Sequence, residues 1–108
     1  MDEREFKNRT KKLALRIITL TDSLPNTKSA NIIGKQFVRS GTSIGANYRT
    51  AHRAKSTADL IHKLSIVEEE SDESLDWMEL LIEAKIIRET KLSVLIKDTD
   101  EIVSMVVA

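Results

Sequence analysis

The sequence predicts an all-α protein that folds as an antiparallel up-down-up-down four-helix bundle. Apolar residues recur at intervals of three and four along almost the whole chain, which is the period of amphipathic helices, and they alternate nowhere for long. Only three glycines and one proline occur in 108 residues, so few positions interrupt the helices. Short connections force neighbouring helices to run antiparallel. A chain of this length forms one domain around one core.

The four helices are predicted at about residues 3–24, 29–53, 57–87 and 91–107. In each of them the apolar residues fall on one face, as a core-facing helix requires. The first helix is predicted to end just before Pro25, because proline cannot continue the hydrogen-bond ladder and disfavours helical backbone at the residue before it.

Polar residues mark the starts of the later helices, since their side chains can accept hydrogen bonds from the free amides of the first turn. Ser29 is the predicted N-cap of the second helix, and Thr90 is that of the fourth. Ser56 is the predicted N-cap of the third, where Asp59 completes a variant of the capping box and complements the helix dipole.

The chain has no net charge, yet its two halves are strongly and oppositely charged. Residues 1–55 hold 12 Lys/Arg against 4 Asp/Glu, a net of +8. Residues 56–108 hold 5 Lys/Arg against 13 Asp/Glu, a net of −8. Such a distribution predicts a partner of complementary charge, either an anionic polymer or another copy of the same chain.

Composition excludes several classes of protein and of site. The chain has no cysteine, which excludes disulfides and thiolate metal sites. No apolar run approaches the roughly 20 residues that a membrane span needs, so no membrane partner is expected. The first five residues, Met1 to Glu5, lack the apolar stretch of a signal peptide. A cytoplasmic location is therefore the expectation.

A stripe of one charge sign runs along the predicted second helix. A solvated helix face usually interleaves both signs, because like charges one turn apart repel. The basic stripe consists of Lys35, Arg39, Thr42, Ala46, Arg49 and Arg53. With the cations of the first helix, it predicts a surface that binds RNA or DNA phosphates. The candidate binding residues are Arg9, Lys12, Arg16, Lys35, Arg39, Arg49 and Arg53. The alternative is that an acidic stripe on a neighbouring helix or subunit neutralises them.

The third helix carries more faces than one helix of a bundle needs. Besides its core seam, it has a wholly acidic stripe formed by Glu69, Asp72, Asp76, Glu79 and Glu83. A further seam contains Ile66, Glu70, Glu73, Trp77 and Leu80. This further seam either contacts a second helix of the same bundle or forms an oligomer interface anchored by Trp77, a residue type enriched at interface hot spots. In an interface, Glu70 and Glu73 would need Arg39, Arg49 or Lys63 as partners, because a buried unpaired carboxylate is costly.

Every position from 40 to 47 of the second helix except Ile44 holds a small residue. A helical glycine costs about 1 kcal/mol relative to alanine, so Gly41 and Gly45 predict the close approach of another backbone. The string from Arg39 to Asn47, together with residues 58–66 and 77–81, resembles the four-helix-bundle family of proteins encoded in intervening sequences of 23S ribosomal RNA genes. The likeness is dense over about residues 39–83 and weaker elsewhere.

The resemblance implies a four-helix bundle that assembles as a homopentamer. It also implies kinship with the accessory variability proteins of diversity-generating retroelements, which are basic pentamers that bind nucleic acid and a reverse transcriptase. The family's recurrent polar positions correspond to Ser43, Asn47, Lys63, Glu70 and Glu73. These residues, with Ile66, Trp77 and Leu80, are the candidate oligomer interface.

No catalytic arrangement is found in the sequence, and no cofactor is predicted. The histidines His52 and His62 stand in no metal-binding or nucleophile motif, and no phosphate-binding glycine loop is present. The sequence therefore predicts a non-enzymatic homo-oligomer with a basic face that binds RNA or DNA. The alternative is an oligomeric scaffold whose basic and acidic stripes pair between subunits, and which binds a protein partner such as a reverse transcriptase.

Overall fold

The computed structural model describes residues 2–107, and these form four helices. They are α1 (Glu3–Asp22), α2 (Lys28–Ala51), α3 (Thr57–Glu83) and α4 (Glu89–Val107). No strand occurs in this part of the chain. The predicted all-α four-helix bundle is confirmed. The connections are only a few residues long, and the molecule is elongated, with extents of 44 × 23 × 19 Å.

The helices follow one another around the bundle in chain order. Helix α1 packs on α2, α2 on α3 and α3 on α4, while α4 returns to close the bundle on α1. The diagonal pairs, α1 with α3 and α2 with α4, do not pack on each other in the described part of the chain. The bundle therefore has four seams between neighbouring helices, and the α1–α2 seam lies opposite the α3–α4 seam.

All four helices contribute fully buried apolar side chains to one core. These side chains are Leu13, Ile17, Phe37, Ile44, Val67, Met78, Leu81, Leu92 and Ile102. They occupy the apolar faces that the helical spacing predicts, and their burial is the main favourable contribution to folding. One core of this kind is what a chain of this length can build.

Helix α2 is packed closely against both of its neighbours. A Cβ atom on Gly41 would lie 2.5 Å from Cδ1 of Ile17, and one on Gly45 would lie 3.0 Å from Oγ1 of Thr10. Both glycines therefore face α1, and an added Cβ atom would overlap Ile17 at position 41 and crowd Thr10 at position 45. On the other side, the buried hydroxyls of Ser40 and Ser74 are hydrogen-bonded at 2.8 Å, which joins α2 to α3. The close approach predicted for Gly41 and Gly45 is that of α1 in the same chain.

The predicted N-caps are correct for one helix and wrong for two. Ser56 caps α3, accepting a hydrogen bond from the backbone amide of Asp59 at 3.1 Å. Helix α2 is capped by Thr27 and not by Ser29, since the extended backbone stops at Thr27 and its hydroxyl accepts from the amide of Ala30. Thr90 lies inside α4, which begins one residue earlier.

Helix α3 ends four residues before the predicted end near Ile87. Its C-terminus is a Schellman motif, in which the amide of Ile86 donates to the carbonyl of Leu81 and that of Lys85 to Ile82, at 3.0 and 2.9 Å. Lys85 adopts a left-handed conformation, with φ of 59°. The prediction ran too far because Ile86 and Ile87 continue the apolar spacing, although they pack on the core from outside the helix.

Replacing Lys85→Gly should stabilise the protein by about 1 kcal/mol, because glycine adopts left-handed backbone without the clash of a Cβ atom. The melting temperature in thermal unfolding followed by circular dichroism should rise by a few degrees. Lys97→Gly is the control, since Lys97 is exposed inside α4 and the same change should cost about 1 kcal/mol there. Equal losses in both variants would contradict the assigned role of Lys85.

Replacing Gly41→Val should destabilise the protein by about 2–3 kcal/mol, because the new side chain must displace the fully buried Ile17. Urea denaturation measures the loss. The control is Ala46→Val on the exposed surface of the same helix, where only the lower helix propensity of valine acts, at roughly 0.5 kcal/mol. If the two variants are equally stable, α1 does not approach α2 as closely as described.

Candidate functional site

The α1–α4 seam is bridged by an arginine that contacts two carboxylates. The guanidinium of Arg9 donates through Nε and Nη2 to Oδ1 of Asp98, at 2.8 and 2.5 Å, and it also contacts Glu101. Burial lowers the pKa of Arg9, but the hydrogen bonds and negative charges of Asp98 and Glu101 outweigh that effect and raise it. The charge of Arg9 is therefore neutralised within the chain.

The α2–α3 seam carries a second arginine of the same kind. Nη1 of Arg39 donates to Oε2 of Glu70 at 3.2 Å, and the guanidinium also contacts Glu73. Its Nε atom donates to the side-chain oxygen of Gln36 at 3.0 Å. The carboxylates of Glu70 and Glu73 thus have their cationic partner in the same chain, and it is Arg39 among the three candidates.

The α1–α2 seam is an open groove with a positive charge, and we call it the basic groove. Its cations are Lys7, Lys11 and Arg49, and no acidic side chain lines it. The cavity has a volume of about 220 Å³. Its other lining residues are small, and they are Thr10, Ala14, Thr42, Gly45 and Ala46. We call them the floor of the groove. A ligand in this groove can therefore come close to the backbones of both helices and contact all three cationic side chains.

The remaining predicted cations lie around this groove and on its flanks. Lys35 is exposed on α2, and Lys12 and Arg16 are exposed on α1 beside the α1–α4 seam. Arg53 is exposed in the turn after α2, because this helix ends at Ala51 and not at the predicted residue 53. The sequence did not single out Lys7 and Lys11 as groove residues. Their spacing of one helical turn was visible, but only the packing of α1 on α2 shows that this side of α1 lies next to Arg49.

The predicted interface polar groups make hydrogen bonds or ion pairs along their own helices. The Ser43 hydroxyl donates to the carbonyl of Arg39 at 2.7 Å, and the Asn47 amide donates to the carbonyl of Ser43 at 2.8 Å. The ammonium group of Lys63 lies 4.0 Å from a carboxylate oxygen of Asp59. Contacts within one chain therefore account for these polar groups.

The apolar members of the predicted interface differ in exposure. Trp77 and Ile66 are half-buried, and Trp77 packs against the core. The Nε1 atom of Trp77 is buried and has no hydrogen-bond acceptor within residues 2–107. Leu80 is 40% exposed, and Ile32 on the adjacent helix α2 is 56% exposed. The further seam predicted on α3 thus packs partly against the core of its own bundle and partly leaves apolar side chains exposed.

Aromatic side chains join the start of α1 to the end of α2. The rings of Phe6 and Tyr48 lie 4.0 Å apart, and His52 meets the ring of Tyr48 edge-on. Nδ1 of His52 is 3.4 Å from a carboxylate oxygen of Glu3. Burial, with the nearby charge of Glu3, raises the pKa of Tyr48. These contacts give His52 a structural role at the end of the bundle.

Neither a metal-holding cluster nor a membrane-spanning helix occurs in the described part of the chain. Between residues 2 and 107, no three histidine or acidic side chains are grouped so that they could hold a metal ion. Within the same range, none of the helices has the length and apolarity needed to cross a membrane.

Comparison with known proteins decides the family. The family model described as 23S rRNA-intervening sequence protein matches residues 2–108. The chain belongs to this family. The resemblance seen at residues 39–83 is therefore confirmed over nearly the whole chain. No match is found among curated proteins. The implied kinship with accessory variability proteins stays a prediction.

A solved structure supports the same assignment. The chain is similar to a crystal structure from Bacteroides thetaiotaomicron VPI-5482, described as a protein with unknown function from the S23 ribosomal protein family. The two chains share 37% sequence identity, and the match covers 99% of this chain and 96% of the other, with a TM-score of 0.91. The two chains thus share one fold although fewer than half of their residues are identical.

Proposed function

We propose that this protein is a non-enzymatic, homo-oligomeric nucleic-acid-binding protein whose basic groove binds the phosphate backbone of RNA or DNA. The observation that carries the proposal is that Lys7, Lys11 and Arg49 line one groove from two helices with no carboxylate among its lining residues. Arg9 and Arg39 each contact two carboxylates of a neighbouring helix, so they are not part of the proposed interface. Lys7 pairs with Glu3 one turn earlier in α1, at 3.4 Å, but both side chains of that pair are largely exposed.

The groove suits a phosphate backbone for steric as well as electrostatic reasons. Its floor of small side chains, including Gly45 and Ala46, lets a ligand approach the helices between the long cationic side chains. Lys35 on α2 and Arg53 in the turn after it add further exposed positive charge. No aromatic side chain lines the groove, so the binding energy comes from phosphate contacts and not from base stacking. Binding should therefore tolerate many sequences and depend strongly on salt.

The double variant Lys11→Glu/Arg49→Glu should bind RNA much more weakly, because two cations that attract phosphates are replaced by carboxylates that repel them. The measurement is fluorescence anisotropy of a labelled, unstructured oligoribonucleotide across a salt series. The negative slope of log affinity against log salt concentration should become shallower, by roughly 0.7 for each phosphate that the variant no longer neutralises.

The matched control for this experiment is Arg88→Glu/Lys91→Glu, which makes the same change of net charge at exposed residues outside the groove. It should keep most of the affinity. Equal weakening in the two double variants would mean that net charge alone drives binding. Absence of binding by the unchanged protein at low salt would contradict the proposed function altogether.

An oligomeric scaffold is the second candidate function, and the α2–α3 surface favours it. Leu80 on α3 and Ile32 on α2 are exposed apolar side chains, and the buried Nε1 of the half-buried Trp77, one turn before Leu80, has no acceptor in the described residues. A second chain could cover the apolar side chains and supply the acceptor. Lys35 on α2, Arg53 in the turn after α2, and the exposed acidic stripe of α3 would then be available to pair between subunits or with a protein partner.

Replacing Leu80→Glu should dissolve the oligomer, because the charge would be buried without a partner in the interface. Light scattering measures the mass, and the family resemblance implies five chains for the unchanged protein. Val94→Glu is the control, since Val94 is 58% exposed on α4, away from the α2–α3 surface. A monomeric unchanged protein, or a native mass in the Leu80→Glu variant, would contradict this interface.

A further inference from the structure

The α3–α4 seam is an open groove with a negative charge, and we call it the acidic groove. Its cavity has a volume of about 450 Å³. Its apolar lining residues are Leu75 and Ile82 of α3 and Ile96 of α4, all of them partly buried. Its acidic lining residues are Glu79, Glu83, Glu89 and Asp100. The groove therefore combines an apolar strip with carboxylates contributed by both of its helices.

The negative charge of this groove is not neutralised by the chain itself. None of its four carboxylates forms an ion pair within residues 2–107, and no Lys or Arg lines the groove. The α1–α4 and α2–α3 seams differ, since Arg9 and Arg39 each contact two carboxylates there. Glu79 and Glu83 are also one helical turn apart, where like charges repel. The arrangement costs stability in the isolated chain, and a cationic ligand would remove that cost.

The spacing of the lining residues fits a helix as the ligand. Leu75 and Ile82 are two turns apart on α3, at about 10.5 Å, and Glu89 and Asp100 are three turns apart on α4, at about 16.5 Å. An amphipathic helix presents apolar side chains at positions i, i+3, i+4 and i+7, which is how helices bind apolar grooves. Lysines or arginines beside that apolar stripe would meet the carboxylates of both helices. The apolar strip is not expected for a site that holds a metal ion, and no metal-holding group occurs in residues 2–107.

We propose that the acidic groove binds a basic amphipathic helix of another protein. This inference goes beyond the proposed function, because the acidic groove lies on the side of the bundle opposite the basic groove. A nucleic acid and a protein helix can therefore occupy one chain together. The two ligands have opposite charges, so neither competes for the site of the other.

The test uses a labelled model peptide of about 18 residues, which as a helix is longer than the groove. Its leucines are placed at i, i+3, i+4 and i+7, and lysines flank them. Anisotropy with the full chain should show binding. The variant Glu79→Gln/Glu83→Gln should weaken that binding about tenfold, because it removes two of the four carboxylates of the site.

The matched control is Glu69→Gln/Asp76→Asn, which removes the same charge from exposed positions of α3 outside the groove. This control should keep the affinity within about twofold. A second peptide with glutamine in place of each leucine, and therefore the same charge, should not bind. Thermal unfolding should show both protein variants folded, since their substitutions relieve repulsion between exposed carboxylates.

Three results would overturn the proposal. Equal weakening in the groove variant and its control would show attraction by net charge alone. Binding of the glutamine peptide as tightly as the leucine peptide would show that the apolar strip has no role. Loss of the protein's own oligomeric mass in the groove variant, with the control unaffected, would identify a second copy of the chain as the occupant. RNA binding by the groove variant should be unchanged, which separates this test from that of the basic groove.

Discussion

The close packing of α2 against its two neighbours is the constraint on which the rest of the structure depends. Gly41 and Gly45 let α1 approach at distances where a Cβ atom would overlap Ile17 or crowd Thr10, and the Ser40–Ser74 hydrogen bond satisfies two buried hydroxyls against α3. Each glycine lowers the intrinsic helix propensity of α2 by about 1 kcal/mol relative to alanine. The packing that they allow offsets this loss, since the dense core around Ile17 and Phe37 needs the helices at this spacing.

The same packing determines the surface on that side of the bundle. Because α1 lies so close to α2, the long side chains of Lys7 and Lys11 rise beside Arg49, and Gly45 becomes part of the groove floor. A bulky residue in place of Gly45 would push α1 and α2 apart, and its side chain would also fill the floor of the groove. The stability of the fold and the shape of the basic groove therefore depend on the same small residues.

Charge is distributed unevenly around the bundle. Arginines bridge two of the seams, Arg9 between α1 and α4 and Arg39 between α2 and α3. The other two seams form the basic groove and the acidic groove, which lie on opposite sides. A net charge of zero thus conceals a strongly polarised molecule. Long-range electrostatic steering would orient the chain toward an anion on one side and a cation on the other.

Local patterns predicted the helices well and their ends less well. Ser56 was recognised because cap and capping-box residues are neighbours in sequence. The end of α3 was missed because Ile86 keeps the helical spacing of apolar residues, although Lys85 has already left the helix. Whether Thr27 or Ser29 caps α2 depends on where the backbone turns after Pro25, and both residue types are good caps.

The sequence by itself determined the fold class, the family, the core faces and the division of charge between the two halves, because each depends on residue type and short-range periodicity. Only the tertiary structure decided which charges remain free. Arg9 and Asp98 are 89 residues apart in the chain, and no periodicity connects them. Arg39 and Glu70 are similarly joined only by the packing of α2 on α3. Ion pairing across a seam depends on helix register and separation, and these are set by how the whole core packs.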